Sequence, residues 1–525
     1  MKVMLIYPPI TVFGADPTIP SIVQPLGLAY VAGYLEKEGI QVKILDARGL
    51  SGERVIKDPK SALYGLSNAE IIKEIENEKP DVVGISCMWT AYSGDAHRIA
   101  GLVKKYKKDL PVIFGGAHTS QFYEMVLRDD NVDIVVIGEG EATCAEVLER
   151  IKGGSSFEDV NGIAYRTADR RIVKNPPRQP IKDLDTIPFP ARHLLDMNIY
   201  LDKAKKGKFA MRNPSLPMIT SRGCPQKCIY CTIHSVWGNS WRGRSPSNVV
   251  DEIEMLQRDY GVKEVYWMDD SAGVHRSRLL AICDEIIKRK LDVKWTTPNG
   301  IAHWTLDESI LDKMKQAGCY RITFGIESGN QEMRKFIGKP FDLKQAQRLI
   351  RYANRIGMWT ICTFIIGFPY ETREAVNDTI QFAIDSDTDM AVFYLLCPHP
   401  TSRVYEIFKK EGLLNLDHVL DPSMSPKDED FAKLGELLGQ KGLKTKYFTS
   451  EELEHMLTEA YNKFFRARVR SFLNPLRIMR KIKSIEDFQY VFKLGTAMFP
   501  FMFKSGGKHI QMLYNKKMAR CKDAA

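Results

Sequence analysis

Three cysteines lie closest to recognisable chemistry. Cys224-Pro-Gln-Lys-Cys228-Ile-Tyr-Cys231 is a C-x3-C-x2-C run. Three thiolates on one short loop suit an iron–sulfur cluster, whose irons take soft ligands. Three protein ligands on a four-iron cluster leave one iron open to a substrate, whereas an electron carrier ordinarily has four. The alternative is a structural zinc site completed by His234, three residues further on. Such a site would sit oddly at the end of a barrel strand, where active sites belong. The other seven cysteines, at 87, 144, 283, 319, 362, 397 and 521, are scattered. Ten in 525 residues are too few for a disulfide scaffold and read as reduced thiols beside one metal site.

The elements that must hold this loop form two series. Residues 1–151 alternate apolar strand-like runs (3–8, 42–47, 81–87, 111–116, 133–141) with amphipathic helical patterns (28–39, 69–80, 95–107, near 121–128). That alternation predicts an α/β domain with a five-strand, doubly wound, Rossmann-like parallel sheet, its ligands at the carboxyl ends of the strands. Residues 152–210 read as a linker with a short hairpin. From 211 to 405 six strand patterns (217–223, 264–270, 293–300, 321–329, 359–369, 391–398) alternate with helices, a partial (β/α)6 barrel. Residues 406–525 read as a helical, basic C-terminal region.

With those strand ends in place, the sequence resembles the radical S-adenosylmethionine (SAM) family over roughly 216–400. C-x3-C-x2-C after a barrel strand is that family's motif. Tyr230 stands where the family has an aromatic near the adenine. Phe324-Gly325-Ile326-Glu327-Ser328-Gly329 matches its fourth-strand segment, whose acidic residue hydrogen-bonds the ribose. Ile366-Gly367-Phe368-Pro369 matches the fifth, where backbone reads the adenine. Asp269, on the second strand, and Asn299, ending the third, occupy positions facing the cofactor's amino end. The resemblance implies a [4Fe-4S] cluster on Cys224, Cys228 and Cys231, with Tyr230, Asp269, Asn299, Gly325, Glu327, Gly367 and Phe368 around SAM. It also implies an external electron donor such as flavodoxin or ferredoxin.

The first domain resembles the cobalamin-binding domain that precedes many members of that family. The segments concerned are Leu26 and Gly27 opening the first helix, Met88 to Thr90 after the third strand, Gly115 and Gly116 after the fourth, and Gly138-Glu139-Gly140 after the fifth. No G-x-G-x-x-G follows the first strand, which argues against NAD. The histidine motif D-x-H-x-x-G is also absent, the loop there running from Thr11 to Asp16. His97 and His118 are the nearby histidines. Base-off cobalamin with no histidine on cobalt is therefore the expectation; a degenerate domain that binds nothing is the alternative.

Together the two resemblances imply methylation of an unactivated carbon. A 5′-deoxyadenosyl radical abstracts hydrogen, methylcobalamin supplies the methyl group, and a second SAM remethylates cob(I)alamin. Family members that form rings or rearrange substrates with the same cofactors are one alternative, and an RNA-modifying enzyme is another. Cys283 and Cys319 read as buried, inert thiols. Cys397 and His399 stand at the substrate end of the barrel.

The formal charge of +10 is concentrated at one end of the chain. Residues 461–525 hold 15 Lys/Arg against 3 Asp/Glu, leaving 60 against 62 for the rest. Arg466, Arg468, Arg470, Arg477, Arg480, Lys481 and Lys483 interleave with apolar residues. Three readings follow: a helical cap on the open barrel, an interfacial anchor on anionic lipid suiting a lipid or isoprenoid-like substrate, or a nucleic-acid patch, which lacks an appended RNA-binding fold. VMLIYPP directly after Met1-Lys2 is no secretory leader, and no run reaches the roughly 18 apolar residues of a spanning helix. A cytoplasmic or membrane-peripheral protein is expected.

Overall fold

The computed structural model describes residues 1–13, 22–50, 55–58, 61–205, 210–339, 341–413, 443–472 and 479–494. The N-terminal part carries β1 (Lys2–Tyr7), β2 (Ile10–Phe13), β3 (Gln41–Asp46), β4 (Val55–Asp58), β5 (Ser61–Tyr64), β6 (Val82–Ser86), β7 (Val112–Gly115) and β8 (Ile134–Val136). Then come β9 (Ile163–Arg166) and β10 (Ile172–Lys174). Seven of these form one sheet, ordered β10-β9-β8-β7-β6-β1-β3. The five expected strands are its contiguous parallel part, with β3 at one edge. The hairpin read as linker extends the sheet instead, β9 pairing antiparallel with β8. β2, β5 and β4 make a small separate antiparallel sheet.

Successive strand residues point to opposite faces, and both faces here are buried. Val3 and Leu5 of β1 pack with Ala29, Ala32 and Leu35 of the helix Leu26–Lys37. Met4 and Ile6 pack with Ile71 and Ile75 of the helix Asn68–Glu78 and with Ile99 and Val103 of the helix Ser93–Tyr106. Buried strands with helices on both sides are the doubly wound arrangement that the apolar runs predict.

The second sheet is the open barrel. It contains β11 (Ser215–Met218), and then, after the short β12 (Ser221–Arg222) and β13 (Arg242–Gly243), β14 (Glu264–Trp267), β15 (Lys294–Thr297), β16 (Cys319–Glu327), β17 (Trp359–Ile366) and β18 (Met390–Leu395). The six are all parallel and lie in sequence order. Trp267 and Trp295 stack 4.3 Å apart in its core, both buried. Its core is continuous with one face of the first sheet.

The C-terminal region closes the barrel. The helix Ser450–Phe472 lies along β18 and the helix Arg373–Asp385. Tyr461 Oη accepts from Phe393 N (3.0 Å) and donates to Phe393 O (2.9 Å), satisfying backbone on an edge strand. Thr449 and Glu452 form the capping box expected there. At the amino end of the barrel strands, Tyr490 is fully buried between Tyr320 and Trp359 and accepts from Arg321 (2.8 Å). Arg468 pairs with Asp387 and Lys481 with Asp389. The apolar side of the tail covers the barrel, as the barrel-cap reading expects, but that reading has the basic side solvated, whereas Arg468 and Lys481 are buried packing groups. Arg477 lies outside the described residues, and so does the side chain of Arg470.

Candidate active site

The cysteine loop begins at a two-residue ladder. β12 pairs with β13 so that Arg222 opposes Arg242, and the 19 residues between them leave the barrel as one closed loop. Gly223 is obligatory at its entry: φ is +84°, and a Cβ there would come within 2.3 Å of Ser240 O. Burial pushes the Cys228 thiol up and the Cys231 thiol up to about 11. Bare thiols here are neutral, and a soft metal is what would draw them to thiolate. Among the described residues no three His, Cys, Asp or Glu close on a single ion. Both nitrogens of His234 face backbone oxygens, Nε2 to Gln226 O (2.6 Å) and Nδ1 to Gly238 O (3.2 Å). The ring is thus not available as a fourth ligand, and the zinc alternative fails. Three thiols without a fourth partner fit a cluster with one open iron.

The segment 334–339 clasps this loop. Ile229 N donates to Ile337 O (3.0 Å), and a Cβ on Gly338 would meet Lys227 O at 2.9 Å. Beside it, β16 slips register between Gly325 and Glu327. Glu327 then takes a left-handed φ of 66°. Bulges re-aim side chains and such strain collects at functional sites. The Glu327 carboxylate accepts from buried Lys339 (2.9 Å). Gly325 leaves room for that pair, since a Cβ would sit 2.8 Å from Glu327 Oε1. Burial first, then the Glu327 charge, pushes the Tyr230 phenol well up. Its ring meets Phe368 edge-on at 6.1 Å. Tyr230, Gly325, Glu327 and Phe368 are thus brought together around the cysteine loop.

The remaining expected SAM residues are placed differently. Asp269 is buried and accepts from Thr220 N (2.7 Å), Thr220 Oγ1 (2.6 Å) and Ser221 Oγ (2.5 Å). It ties β14 to the strand leading into the loop. Its neighbour Asp270 accepts from Gly223 N (2.9 Å), and burial raises its carboxyl to about 6. Asn299 donates to Met268 O (3.2 Å) and is exposed. The amides of Gly367 and Phe368 both donate to buried Glu371 (2.7 and 3.3 Å), so those N–H groups are engaged within the segment. Sequence reasoning does not single out Lys339, and within Tyr266–Asp270 it chooses Asp269 rather than Asp270. Lys339 carries no periodic signal, and the choice within the Asp269-Asp270 pair depends on a strand end that only the fold defines.

In the first domain, a Cβ on Gly27 or Gly115 would meet nothing within 4 Å. Those two positions leave backbone open to a ligand. Gly116 instead permits close approach of two strand ends, with a Cβ 2.5 Å from Cys87 O. Leu26 is buried at the start of its helix, and Gly140 packs on Val31. Met88 and Trp89 are displayed, 45% and 61% exposed. Thr90 is buried and bonds His118 Nδ1 (3.1 Å). Exposed apolar side chains and open glycine backbone at strand ends suit a flat macrocycle. The first histidine in the chain is His97, buried against Asp129 (2.7 Å). His118 is buried, and burial lowers it to about 3. The residues present fit cobalamin, and both nearby histidines are buried.

The carboxyl ends of both sheets meet. The short helix His234–Trp237, just past the third cysteine, docks on the helix Ala117–Gln121 after β7. Gln121 Nε2 donates to Ser235 Oγ (2.8 Å), and a Cβ on Gly138 would lie 3.5 Å from Val236 O. Phe122 lies 5.9 Å from the ring of His399, in the loop after β18. Glu139 is not directed at a ligand: Arg222 (2.8 Å) and Arg242 (2.9 Å) hold it. Arg222 also pairs with Glu141 and lies over the rings of Tyr30 and Trp237. Further along the junction, buried Glu252 joins Arg192 (2.7 Å) and Arg244.

Known proteins agree with this arrangement. The B12 binding domain family matches residues 17–148 and the Radical SAM superfamily matches 218–383. An uncharacterised methyltransferase of Pyrococcus horikoshii is 32% identical over 471 residues, 89% of this chain and 92% of its own length. Cytidylyl-2-hydroxyethylphosphonate methyltransferase of Streptomyces wedmorensis is 33% identical over 470 residues, 80% of this chain and 87% of its own. The structure of the radical SAM methyltransferase TsrM from Kitasatospora setae, with cobalamin and a [4Fe-4S] cluster bound, shares the fold. Its TM-score is 0.63 at 18% identity, covering 79% of this chain and 75% of that one. The chain therefore belongs to the cobalamin-dependent radical S-adenosylmethionine methyltransferase family.

Proposed function

We propose that this protein methylates an unactivated carbon of a small molecule. The observation that carries the reading is the meeting of the two strand-end faces, where Ser235 and Val236, just past the cysteine loop, touch Gln121 and the Gly138 turn of the first domain. When bound, the cofactors supply a 5′-deoxyadenosyl radical and a transferable methyl group. The chain's own residues bind and orient. Cys224, Cys228 and Cys231 hold three irons. Glu327 accepts from ribose hydroxyls, with Tyr230 and Phe368 beside the adenine. Asp270 and Asn299 take the cofactor's amino end, and buried Lys339 fixes Glu327. Met88, Trp89, Gly27 and Gly115 cradle cobalamin base-off. Both relatives described above are methyltransferases by name, which favours methyl transfer over ring formation or rearrangement. An external one-electron donor of the flavodoxin or ferredoxin class completes the system. The test is 5′-deoxyadenosine formation from SAM under a strong reductant, in parent and Cys228→Ala protein. The parent forms it and the variant does not; persistence in the variant overturns the reading.

The tail supports one further element of that reading, peripheral contact with anionic membrane and an apolar, isoprenoid-like substrate. Helix 485–494 buries Tyr490 and Leu494 yet leaves Ile485, Phe488 and Phe492 76%, 59% and 69% exposed. A helix apolar on both sides needs a second partner. Residues 473–525 carry 11 Lys/Arg against 3 Asp/Glu, matching an anionic surface. No described helix is long and apolar enough to cross a membrane. Co-sedimentation with anionic vesicles should fall for the Phe488→Ser, Phe492→Ser protein; equal sedimentation removes this element. The exposed apolar side chains Ile485, Phe488 and Phe492 favour a lipid surface over RNA.

A further inference from the structure

The neck of the cysteine loop contains a conflict. Arg222 and Arg242 are direct cross-strand partners in a ladder only two residues long. Like charges placed opposite each other destabilise a strand pair, and a two-residue ladder has little hydrogen bonding to offset that. Both arginines are buried, which strengthens the repulsion. Two carboxylates serve them: Glu141 pairs with Arg222 alone, and Glu139 lies between the two arginines. Glu139 accepts from Arg222 Nη1 (2.8 Å) and from Arg242 Nη1 (2.9 and 3.0 Å). Glu139 belongs to the other domain, in the Gly138-Glu139-Gly140 turn after β8. Its Oε2 also accepts from Ile181 N (2.7 Å), and Arg242 Nη1 donates to Ile181 O (2.6 Å), so the intervening segment is held at the same point. Arg242 Nε and Nη2 have no partner among the described residues, which leaves its anchorage on that single nitrogen.

We propose that Glu139 is a positioning residue that closes the neck of the cluster-bearing loop from the cobalamin domain, by bridging the opposed pair Arg222 and Arg242, of which only Arg222 has a second carboxylate, Glu141. Loop order then depends on docking of the first domain, and the strand-end turn beside the cobalamin cradle is registered to the loop that carries the cluster. This rests on the reading of Cys224, Cys228 and Cys231 as cluster ligands.

The test needs neither substrate nor cobalamin. Iron is followed by its visible absorbance in anaerobically reconstituted full-length protein challenged with a chelator. Glu139→Gln keeps the side chain's shape and removes its charge. Iron loss is expected to be about tenfold faster, the scale of a coupling between charges in contact. Arg242→Gln in the Glu139→Gln background removes the repulsion, and the double variant is expected to return toward the parent rate. A purely structural loss at Glu139 would not be rescued by a second loss. Iron retention by Glu139→Gln equal to the parent, or a double variant faster than either single, overturns the clamp and leaves the cluster reading standing. A parent chain that holds no iron overturns both.

Discussion

Gln121 Nε2 of the first domain donates to Ser235 Oγ, four residues past Cys231, across 2.8 Å. The donor lies on the helix following the carboxyl end of β7, and the acceptor follows the cysteine loop. In open α/β sheets ligands bind beyond the carboxyl ends of the strands, and in β/α barrels active sites occupy the same end. A bond joining those two regions means that whatever each sheet binds faces the other. Two cofactors held by one chain can act on one substrate atom only in such an arrangement.

Glu327 should determine SAM affinity. Its carboxylate is turned out of the strand by the bulge at β16 and is held by Lys339. A charge-assisted hydrogen bond contributes about 1.5–3 kcal/mol. Glu327→Gln should weaken SAM binding roughly ten- to a hundredfold, as read by equilibrium dialysis of reconstituted protein. Unchanged affinity would mean that the ribose is held elsewhere.

Glu371 predicts a pH effect. Burial holds its carboxyl up at about 7, against the pull of the Gly367 and Phe368 amides. In the unfolded chain a glutamate ionises near about 4.3. Between those values the folded state binds the extra proton. The group's contribution is therefore fully present below about pH 4 and is lost as pH rises to about 7. Glu371→Gln removes this dependence, so its urea midpoint should fall less than the parent's from pH 5 to 8. Parallel curves would place the carboxyl in its ordinary range.

Lys481 should be a stability residue. Its Nζ meets Asp389 Oδ2 and Met358 O, both at 2.5 Å, and lies 4.8 Å from the Trp359 ring centre. Asp389 is buried and holds Thr360 N (2.8 Å) at the start of β17. Removing one partner of a buried pair costs about 3–5 kcal/mol. Lys481→Ala should lower the urea midpoint by that scale. A change under about 0.5 kcal/mol, as at an ordinary surface site, would return the tail to a solvated appendage.

The sequence was most informative where the signal is local. C-x3-C-x2-C, the amphipathic helices and the apolar strands are patterns within about 15 residues, and most elements appear near where their period places them; the run 217–223 is split between β11 and β12, and the helix near 121–128 is two short helices. The Thr449–Glu452 capping box is of the same kind. Long-range geometry was less legible. Glu139 reads as one more residue of a glycine-rich strand end, and only its meeting with Arg222, 83 residues away, reveals a clamp. The choice between Asp269 and Asp270 turns on Thr220 and Ser221 claiming the first. The hairpin 163–174 looked like linker because its strands are short, and it becomes structural only by pairing with β8. Lys339 is one lysine among many until the bulge brings Glu327 to it.

Metal content tests the central claim most directly. The chain is purified anaerobically with cobalamin supplied, reconstituted, and assayed for iron, sulfide and cobalt. The account predicts about four iron and one cobalt per chain, with iron lost on Cys228→Ala and cobalt retained. Iron without cobalt after reconstitution would contradict it, because a cradle that holds no cobalamin cannot serve a methyl transfer at the cysteine loop.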